Sequence, residues 1–264
     1  MFTVYHFIWL AICAALIALC LILIKKLKPA LNTVLNVAVA VSILSETVKI
    51  CSVIKILDVS TGGTVPYIEL NHLPIHLCSI QIIFILFVRF APASMEKLRD
   101  RLLAFMYPTC ILGAAAALLM PSIFSTTLPP EEAFIRPMAY QFFLFHTMLV
   151  ILGVAIWIDR GDRLTVADYK NTFFMMLLLA VVSIYLNSVF ATPVYSDGEV
   201  TMIEKTTNFF FTYIPPVPIA LTKTWHWMLY LAVLLFLCAA LIALLYIPVF
   251  VRAWKKHKDA PADN

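Results

Sequence analysis

Several side chains that can carry chemistry stand close together in the stretch LPIHLCSIQIIFILFVRF, residues 73–90. They are an imidazole, a thiol, a hydroxyl and an amide, from His76, Cys78, Ser79 and Gln81. The rest of the stretch is apolar enough to cross a membrane, where polar groups are costly unless they face a protein interior. A thiol or hydroxyl nucleophile that a histidine base activates is the chemistry this combination suggests.

Other apolar runs carry further polar groups at similar depth. Glu46 and Lys49 are three residues apart, so one helical face can hold both as an ion pair. Ionisable groups inside a membrane normally face the interior of a helix bundle. We therefore expect one pocket, open toward the outer leaflet, that brings together Glu46, His76, Cys78, His146 and Asn187.

Helical geometry restricts the possible partners of Cys78. If residues 74–90 form one helix that begins at Pro74, then His76 and Cys78 point about 200° apart and cannot form a dyad. His76 would instead share a face with Ser79. The base for Cys78 must then come from another helix, and we predict that it is His146.

Composition requires an integral membrane protein. Of the 264 residues, 62% are hydrophobic and 13% are charged, whereas soluble domains carry about 25% charged residues. A β-barrel is excluded because the apolar runs are continuous and longer than strands of about 10 residues. The sequence contains no Gly-rich phosphate loop and no H-E-x-x-H metal motif, so we predict neither cofactor nor metal.

Seven apolar runs are long enough to cross about 30 Å of hydrocarbon. We place them at residues 5–24, 31–57, 74–90, 102–120, 137–158, 171–192 and 225–250. The predicted fold class is an all-α polytopic membrane protein, a bundle of seven transmembrane helices. Residues 1–252 form its transmembrane domain, and residues 253–264 form a polar cytoplasmic tail.

The basic residues predict the orientation of the bundle. One side holds most of them: Lys25, Lys26, Lys28, Arg89, Lys97, Arg99, Arg101, Arg160, Arg163, Lys170, Arg252, Lys255, Lys256 and Lys258. The other side has Arg136, Lys205 and Lys223. By the positive-inside rule the N-terminus is outside and the C-terminus cytoplasmic, as in a multi-pass protein of the cell membrane. The net charge of +4 then reflects contact with lipid headgroups, and no nucleic-acid partner is predicted.

The cysteines and the longest connection complete the candidate features. All six cysteines fall in predicted spans without metal-ligand spacing, and for all but Cys78 we predict the role of a small buried hydrophobe. The connection over residues 193–223 contains NFFFTYIPPVPIAL, which is too apolar to stand free in water. We predict that it lies in the membrane interface or folds back as a lid.

Three short patches of the sequence resemble the transmembrane protein 164 family and its bacterial integral-membrane relatives. They are PIHL at residues 74–77, His146 within FFLFHTMLV, and Glu46 in the second span. That family is associated with moving fatty acyl chains between phospholipids through a cysteine nucleophile and a histidine. In its eukaryotic members the thiol directly precedes the histidine, where this chain has Ile75. Either Cys78 replaces the missing thiol one turn deeper, or the thiol chemistry is absent.

The resemblance implies a membrane-embedded acyltransferase or hydrolase that acts on phospholipid acyl esters. His146 would take the proton from Cys78, the thiolate would attack the ester, and a lysolipid or water would receive the acyl chain. Asn208 is similar to a feature of the bacterial relatives and would bring a polar group from the long connection over the cluster. Oxyanion donors would come from Asn187, Asn208 or His76, with polar support from Glu46, Lys49, Ser79 and Gln81.

Two other classes of function stay open at this point. A small-molecule or ion transporter could use Glu46 and Lys49 as an ion site, and broken helices or internal pseudo-symmetry would favour it. A non-catalytic lipid-binding or assembly protein would use the same apolar surfaces without chemistry.

Overall fold

The computed structural model describes residues 2–59, 62–126, 128–196, 199–205, 207–216 and 219–259, and the fold is predominantly helical. The helices are α1 Val4–Leu27, α2 Leu31–Val53, α3 Gln81–Phe90, α4 Glu96–Leu119, α5 Ile123–Thr126, α6 Pro137–Arg160, α7 Val166–Val189 and α8 Thr224–Lys258. Two antiparallel hairpins join helices, one made of β1 Lys55–Val59 and β2 Gly63–Tyr67, the other of β3 Ala191–Ser196 and β4 Glu199–Lys205.

Six helices are long and apolar enough to cross a membrane, namely α1, α2, α4, α6, α7 and α8. Each coincides with one predicted span, so the all-α, multi-pass class is confirmed. The second predicted span was too long, because α2 ends at Val53 and the chain continues into β1. Gly62 explains the turn that follows, since its φ of +85° suits glycine far better than other residues.

The third predicted span is wrong over its first half. Residues 73–80 form successive turns, with Ile80 N donating to His76 O (2.8 Å) and Gln81 N to Cys78 O (3.2 Å). Only Gln81–Phe90 is helical, which gives a length of about 15 Å, half of what a membrane requires. Pro74 disfavours helical geometry at Leu73, and the chain continues in turns as far as Ile80 before regular helix begins. The predicted opposite helical faces of His76 and Cys78 are therefore wrong as well.

The last helix is longer than the span predicted for it at residues 225–250. Helix α8 continues through residues 253–258, which were predicted to belong to the polar tail, and it ends at Lys258 with four basic residues in its last turn. Positive charge stabilises a helix C-terminus, so this run extends the helix. Residues 260–264 lie outside the described part of the chain.

Helix α4 is the centre of the bundle. It packs against α3, α6, α7 and α8, and 61% of its most apolar stretch is buried, against 6% for α8. Leu103, Phe105 and Met106 of α4 are almost fully enclosed. The apolar side chains that α1 and α8 leave exposed match lipid contact rather than a protein core.

Two proline-containing helices, α4 and α8, are bonded to each other. Pro108 has no N–H, so the carbonyl of Ala104 lacks its helical donor. Tyr246 of α8 supplies one, its hydroxyl donating to Ala104 O at 3.1 Å. In return, the hydroxyl of Tyr107 donates to Leu245 O at 2.8 Å, close to Pro248.

The bundle has two distinct ends. We call the end that carries both hairpins and the first turn of α1 the hairpin end, and the opposite end the basic end. At the basic end Arg160 bonds to Asp100 and Arg252 pairs with Asp162 at 3.1 Å, so α4, α6 and α8 are fastened together there. Helices α2, α3, α4 and α6 contact one another in a closed ring between the two ends.

Candidate active site

Cys78 lies in the turn segment, pressed against helix α4. A Cβ atom built on Gly113 would stand 3.3 Å from Cys78 Sγ and 3.3 Å from Leu77 Cδ2. Gly113 therefore allows the turn segment to approach α4 closely, in keeping with the small-residue packing its type predicts. The thiol is half-buried at a point where the backbone is irregular.

Gln81 begins α3 and bonds across to α4. Its Nε2 donates to Thr109 Oγ1 at 3.0 Å, and Thr109 in turn donates to Phe105 O at 2.7 Å. Gln81 Oε1 is buried and has no partner among the described residues. An unpaired buried acceptor is costly, so this oxygen can hold a water molecule or a polar group of a ligand. We call Cys78, Gln81, Thr109 and Cys110 the mid-bundle cluster.

His146 is buried in α6 with its tautomer fixed. Its Nδ1 lies 2.6 Å from Phe142 O, and only an N–H can bond to a carbonyl at that distance. In the neutral ring this leaves a lone pair on Nε2, to which no group in the described ranges bonds. The imidazole therefore presents an acceptor nitrogen at membrane depth, as a general base must.

His146 and Cys78 stand at similar height along α4. Gly153 lies seven residues from His146, on the same face of α6 and about 10 Å nearer the basic end. A Cβ atom built on Gly153 would be 2.6 Å from Ile111 Cγ1 and 2.9 Å from Tyr107 O. Because α4 and α6 are antiparallel, His146 is level with residues around 116 of α4, and Cys78 is within about one helical turn of that level.

No direct hydrogen bond joins Cys78 to His146 in the part of the chain that the structure describes. The ring of His146 is in contact with Phe142 and Phe145 instead, at centroid distances of 4.4 and 5.7 Å. Catalytic hydrogen bonds often form only with substrate or through one water. The predicted pair therefore stays a prediction.

Cys110 is a thiol that sequence reasoning assigned to simple packing. It lies three residues from Gly113, the position of α4 against which Cys78 packs, and a Cβ atom on Gly153 would stand 3.3 Å from its Cβ. It therefore lies between the turn segment and α6. No group of three His, Cys, Asp or Glu side chains suited to a metal ion occurs within the described residues.

An ion pair lies near the hairpin end of α2. Lys49 Nζ and Glu46 Oε1 are 2.6 Å apart and both side chains are largely buried, so the predicted ion pair is confirmed. Lys49 also acts electrostatically on His72 and His76. Next to it Lys55 bonds to Glu69 at 2.5 Å, which lowers the pKa of the Glu69 carboxyl.

Asn187 anchors the segment of residues 207–216 to α7. Its Nδ2 donates to Phe209 O (3.1 Å) and to Thr212 Oγ1 (3.0 Å). Its Oδ1 accepts from Thr207 Oγ1 and from Phe209 N, both at 2.9 Å. Both amide hydrogens are thus in use, so the predicted role of Asn187 as an oxyanion donor is wrong in this conformation.

Asn208 organises the same segment internally. Its Oδ1 accepts from the amides of Tyr213 (3.1 Å) and Ile214 (2.9 Å), while its Nδ2 donates to Ile214 O (2.8 Å). The side chain therefore closes the turn through which the segment reverses direction. The polar group predicted to lie over the cluster is committed to the segment itself.

Phe209 inserts from this segment into the bundle. It is fully buried, and its ring meets the ring of His76 edge-on at 5.1 Å. Trp227 and Tyr230 of α8 bond to the carbonyls of Thr212 and Phe211, at 2.9 and 2.6 Å. The segment of residues 207–216 thus folds back over the bundle, which is one of the two arrangements predicted for this connection.

The predicted pocket is therefore divided in two. Asn187, Phe209 and His76 meet at the hairpin end, near the Glu46–Lys49 pair. Cys78 and Gln81 lie deeper, against α4.

Comparison with known proteins gives the family. The model of the TMEM164 family matches residues 1–246. The chain belongs to the TMEM164 family. No curated protein and no solved structure matches it.

The TMEM164 family match covers five of the six long helices in full and most of α8, far more than the three patches that suggested it. It ends within α8, just before Pro248. The resemblance inferred from the sequence is therefore confirmed at the level of the family. The match by itself assigns no reaction.

Thr109 and Phe209 are residues of the candidate site in this TMEM164 family member that sequence reasoning missed. Thr109 could have been noticed in YPTC, because a proline inside a span marks an irregular backbone beside a polar side chain. Phe209 had no such signal, since three adjacent phenylalanines look alike in sequence. Only the bonds to Asn187 select Phe209 as the ring that is buried.

Replacing Asn187 with leucine should release the 207–216 segment. The variant loses four hydrogen bonds at a buried position, and we expect it to lower the free energy of unfolding by about 2–4 kcal/mol. Thermal unfolding in detergent measures the loss, and limited proteolysis should cut within 207–216 earlier than in the wild type. Asn171→Leu, an exposed position on the same helix, is the matched control and should change stability by less than about 0.5 kcal/mol. Equal stability of the two variants would contradict the anchoring role.

Proposed function

We propose that this protein is a membrane-embedded acyltransferase or hydrolase that acts on phospholipid acyl esters. The observation that carries the proposal is the state of His146, whose Nδ1 is bonded to Phe142 O and whose Nε2 is unoccupied. A neutral imidazole whose Nδ1–H is held by a carbonyl keeps Nε2 as a proton acceptor, which is the state that a general base requires. The half-buried Cys78 at nearly the same height supplies the nucleophile that such a base serves.

The reaction uses two groups of this chain. His146 Nε2 takes the proton of the Cys78 thiol, and the thiolate forms a bond to the ester carbonyl carbon of a phospholipid. The ester C–O bond breaks, the leaving glycerol oxygen takes the proton back from His146, and a lysolipid departs from a Cys78 thioester. A hydroxyl of an acceptor lysolipid, or water, then gives its proton to His146 and attacks the thioester, which releases the thiolate.

Oxyanion stabilisation falls to donors near the turn segment. Asn187 is excluded by its hydrogen bonds, and the Nδ2 of Asn208 is engaged with Ile214 O. His76 is the remaining candidate of the three proposed from sequence. Its ring stands beside Phe209, which keeps bulk water from the hairpin end of the site and so strengthens a hydrogen bond to developing charge.

Substrate would enter from the lipid in which the bundle stands. We propose that the hairpin end faces outside, with the N-terminus there and the C-terminus in the cytoplasm of a cell-membrane protein. The turn segment and α3 together complete a seventh crossing. The distribution of lysine and arginine between the two ends supports this orientation.

Cysteine labelling in intact cells should distinguish the two ends. In a background in which the exposed Cys51 is replaced by alanine, a cysteine introduced at the exposed Tyr195 should react with an impermeant maleimide. A cysteine at the exposed Arg163 should react only after the membrane is permeabilised. Reaction of Arg163→Cys in intact cells would overturn the orientation.

A transporter is the second candidate, because one observation favours it. The third predicted span is a broken helix, with turns over residues 73–80 next to α3, and transporters bind their ions at such breaks. The Glu46–Lys49 pair lies at the same end. Ion uptake by liposomes containing the protein would support this alternative.

The direct test of the proposed activity is a transfer assay. Purified protein receives a phospholipid with a labelled acyl chain and an unlabelled lysophospholipid. We expect the label to appear in the acceptor, or as free fatty acid if water is the acceptor. If the protein turns over no lipid ester and carries ions into liposomes, the proposal of an enzyme is wrong and the transporter becomes the better account.

A further inference from the structure

A cavity of about 430 Å³ opens at the basic end, far from the site described above. Its lining includes Arg89 from the last turn of α3, Arg99 from the first turns of α4, and Asn32 from the first turn of α2. Residues 91–93, which connect α3 to α4, close it on one side. We call it the Arg89–Arg99 cavity.

Both arginines are held in place by neutral partners. Arg99 donates from Nη2 to Asn32 Oδ1 (2.9 Å) and from Nε to Val88 O (2.8 Å). Arg89 donates from Nε to Asn36 Oδ1. These bonds orient each guanidinium, and they leave other N–H groups of both arginines able to donate to a ligand.

Their charge is not neutralised by a nearby carboxylate. Arg136, Arg160 and Arg252 each pair with an aspartate or a glutamate. Across the described residues neither Arg89 nor Arg99 has an acidic partner within ion-pair distance, although Glu96 also lines the cavity. Two positive charges against one negative leave the lining with a net charge of +1.

The cavity lies at the level of lipid headgroups. Helix α3 ends at Phe90, α4 begins at Glu96 and α2 begins at Leu31, so each element that lines it is entering or leaving a membrane-crossing segment. Guanidinium groups bind phosphate through paired N–H donors, more specifically than a lysine does. A phosphodiester carries one negative charge, which matches the net charge of the lining.

We propose that the Arg89–Arg99 cavity binds the phosphate of a membrane phospholipid headgroup in the leaflet at the basic end. The two arginines bind the phosphate oxygens, and Asn32 and Asn36 hold the arginines. The acyl chains lie against the apolar faces of the neighbouring helices. This site is separate from the reaction site and does not depend on the reaction proposed there.

Native mass spectrometry of the delipidated, detergent-solubilised full chain tests the proposal. The protein is titrated with phosphatidylglycerol, with diacylglycerol of the same chains as the phosphate-free control, and with inorganic phosphate. We expect phosphatidylglycerol to bind and diacylglycerol not to bind. If inorganic phosphate binds and phosphatidylglycerol does not, the cavity is a site for a soluble anion and the proposal of a lipid ligand is wrong.

Variants localise the binding. Arg89→Gln with Arg99→Gln should weaken phosphatidylglycerol binding about tenfold or more, since two charge-assisted contacts are lost. Lys97→Gln with Arg101→Gln removes the same two positive charges from exposed positions on α4 and should change binding less than about twofold. Equal losses in both proteins would mean general surface attraction and would contradict the site.

A second variant separates binding from folding. Asn32→Asp with Asn36→Asp gives each arginine a carboxylate partner in the place of its amide. We expect this protein to unfold at the same temperature as the wild type or higher, and to lose phosphatidylglycerol binding as the arginine variant does. Undiminished binding by this folded variant would overturn the proposal.

Discussion

Replacing Cys78 with alanine is expected to lower phospholipid acyl transfer by about 10⁴-fold, with the bundle still folded. The thiol sulfur forms the covalent bond in the proposed reaction, and alanine has no nucleophilic atom to take its place. Cys78 is only half-buried beside Gly113, so a shorter side chain should be accommodated. Initial rates of label transfer, compared with thermal unfolding of the same samples, measure both effects.

Two cysteines provide the controls for this result. Cys51→Ala changes an exposed thiol near the end of α2 and should leave the rate unaltered. Cys110→Ala removes the neighbouring buried thiol and should alter the rate less than about tenfold, as a change of packing does. Loss of activity in Cys110→Ala but not in Cys78→Ala would make Cys110 the nucleophile. Full activity in both would leave Ser79 or a water activated by His146.

His146→Gln should lower the rate by about 10² to 10⁴-fold. Glutamine can still donate to Phe142 O, but it has no nitrogen that accepts a proton. The folded fraction of the variant should therefore bind lipid normally and react slowly. Rates are to be normalised to folded protein, because a histidine that served packing alone would lower stability and not the rate per folded molecule.

His226→Gln is the matched control for His146. His226 lies near the start of α8, where its Nδ1 is 3.2 Å from Thr222 Oγ1, and it is not part of the mid-bundle cluster. We expect its rate to stay within about twofold of the wild type. Equal losses in the two histidine variants would contradict a specific base.

The six long helices could be predicted from sequence because their signal is local. A run of about 20 apolar residues predicts a helix by its length alone. In hydrocarbon the backbone N–H and C=O groups must bond to one another, and a helix satisfies them within one segment. The third span gave the same signal but folds differently over residues 73–80. Its backbone is enclosed by neighbouring elements, notably by α4 at Gly113 and by Phe209 of the 207–216 segment. Such enclosure depends on the tertiary fold and cannot be predicted from one span of the sequence.

The hairpins were missed for a related reason. Residues 55–57 continue the apolar run of α2, and only Gly62 and Gly63 mark the turn. An exposed β-hairpin at the membrane interface lacks the alternation of a half-buried strand, and β2 is exposed at every position. Length and composition could therefore not separate β1 from the helix before it.

The candidate residues were found by their polarity, but their roles depend on distant partners. The Glu46–Lys49 pair lies within one helical turn and could be predicted from spacing. Asn187 has partners 20 to 25 residues away in an irregular segment, so its anchoring role depends on the folded loop. The relation of Cys78 to His146 likewise depends on how three elements pack around α4.

The acyl-enzyme is the species that tests the central claim most directly. Wild-type protein is mixed with a phospholipid carrying a labelled acyl chain in the absence of acceptor lysolipid, quenched in acid, and digested for mass spectrometry. We predict a labelled acyl group on the peptide that contains Cys78, removable by neutral hydroxylamine as a thioester is, and absent in Cys78→Ala. Label on another residue, or acyl transfer without any covalent intermediate, would contradict the proposed mechanism.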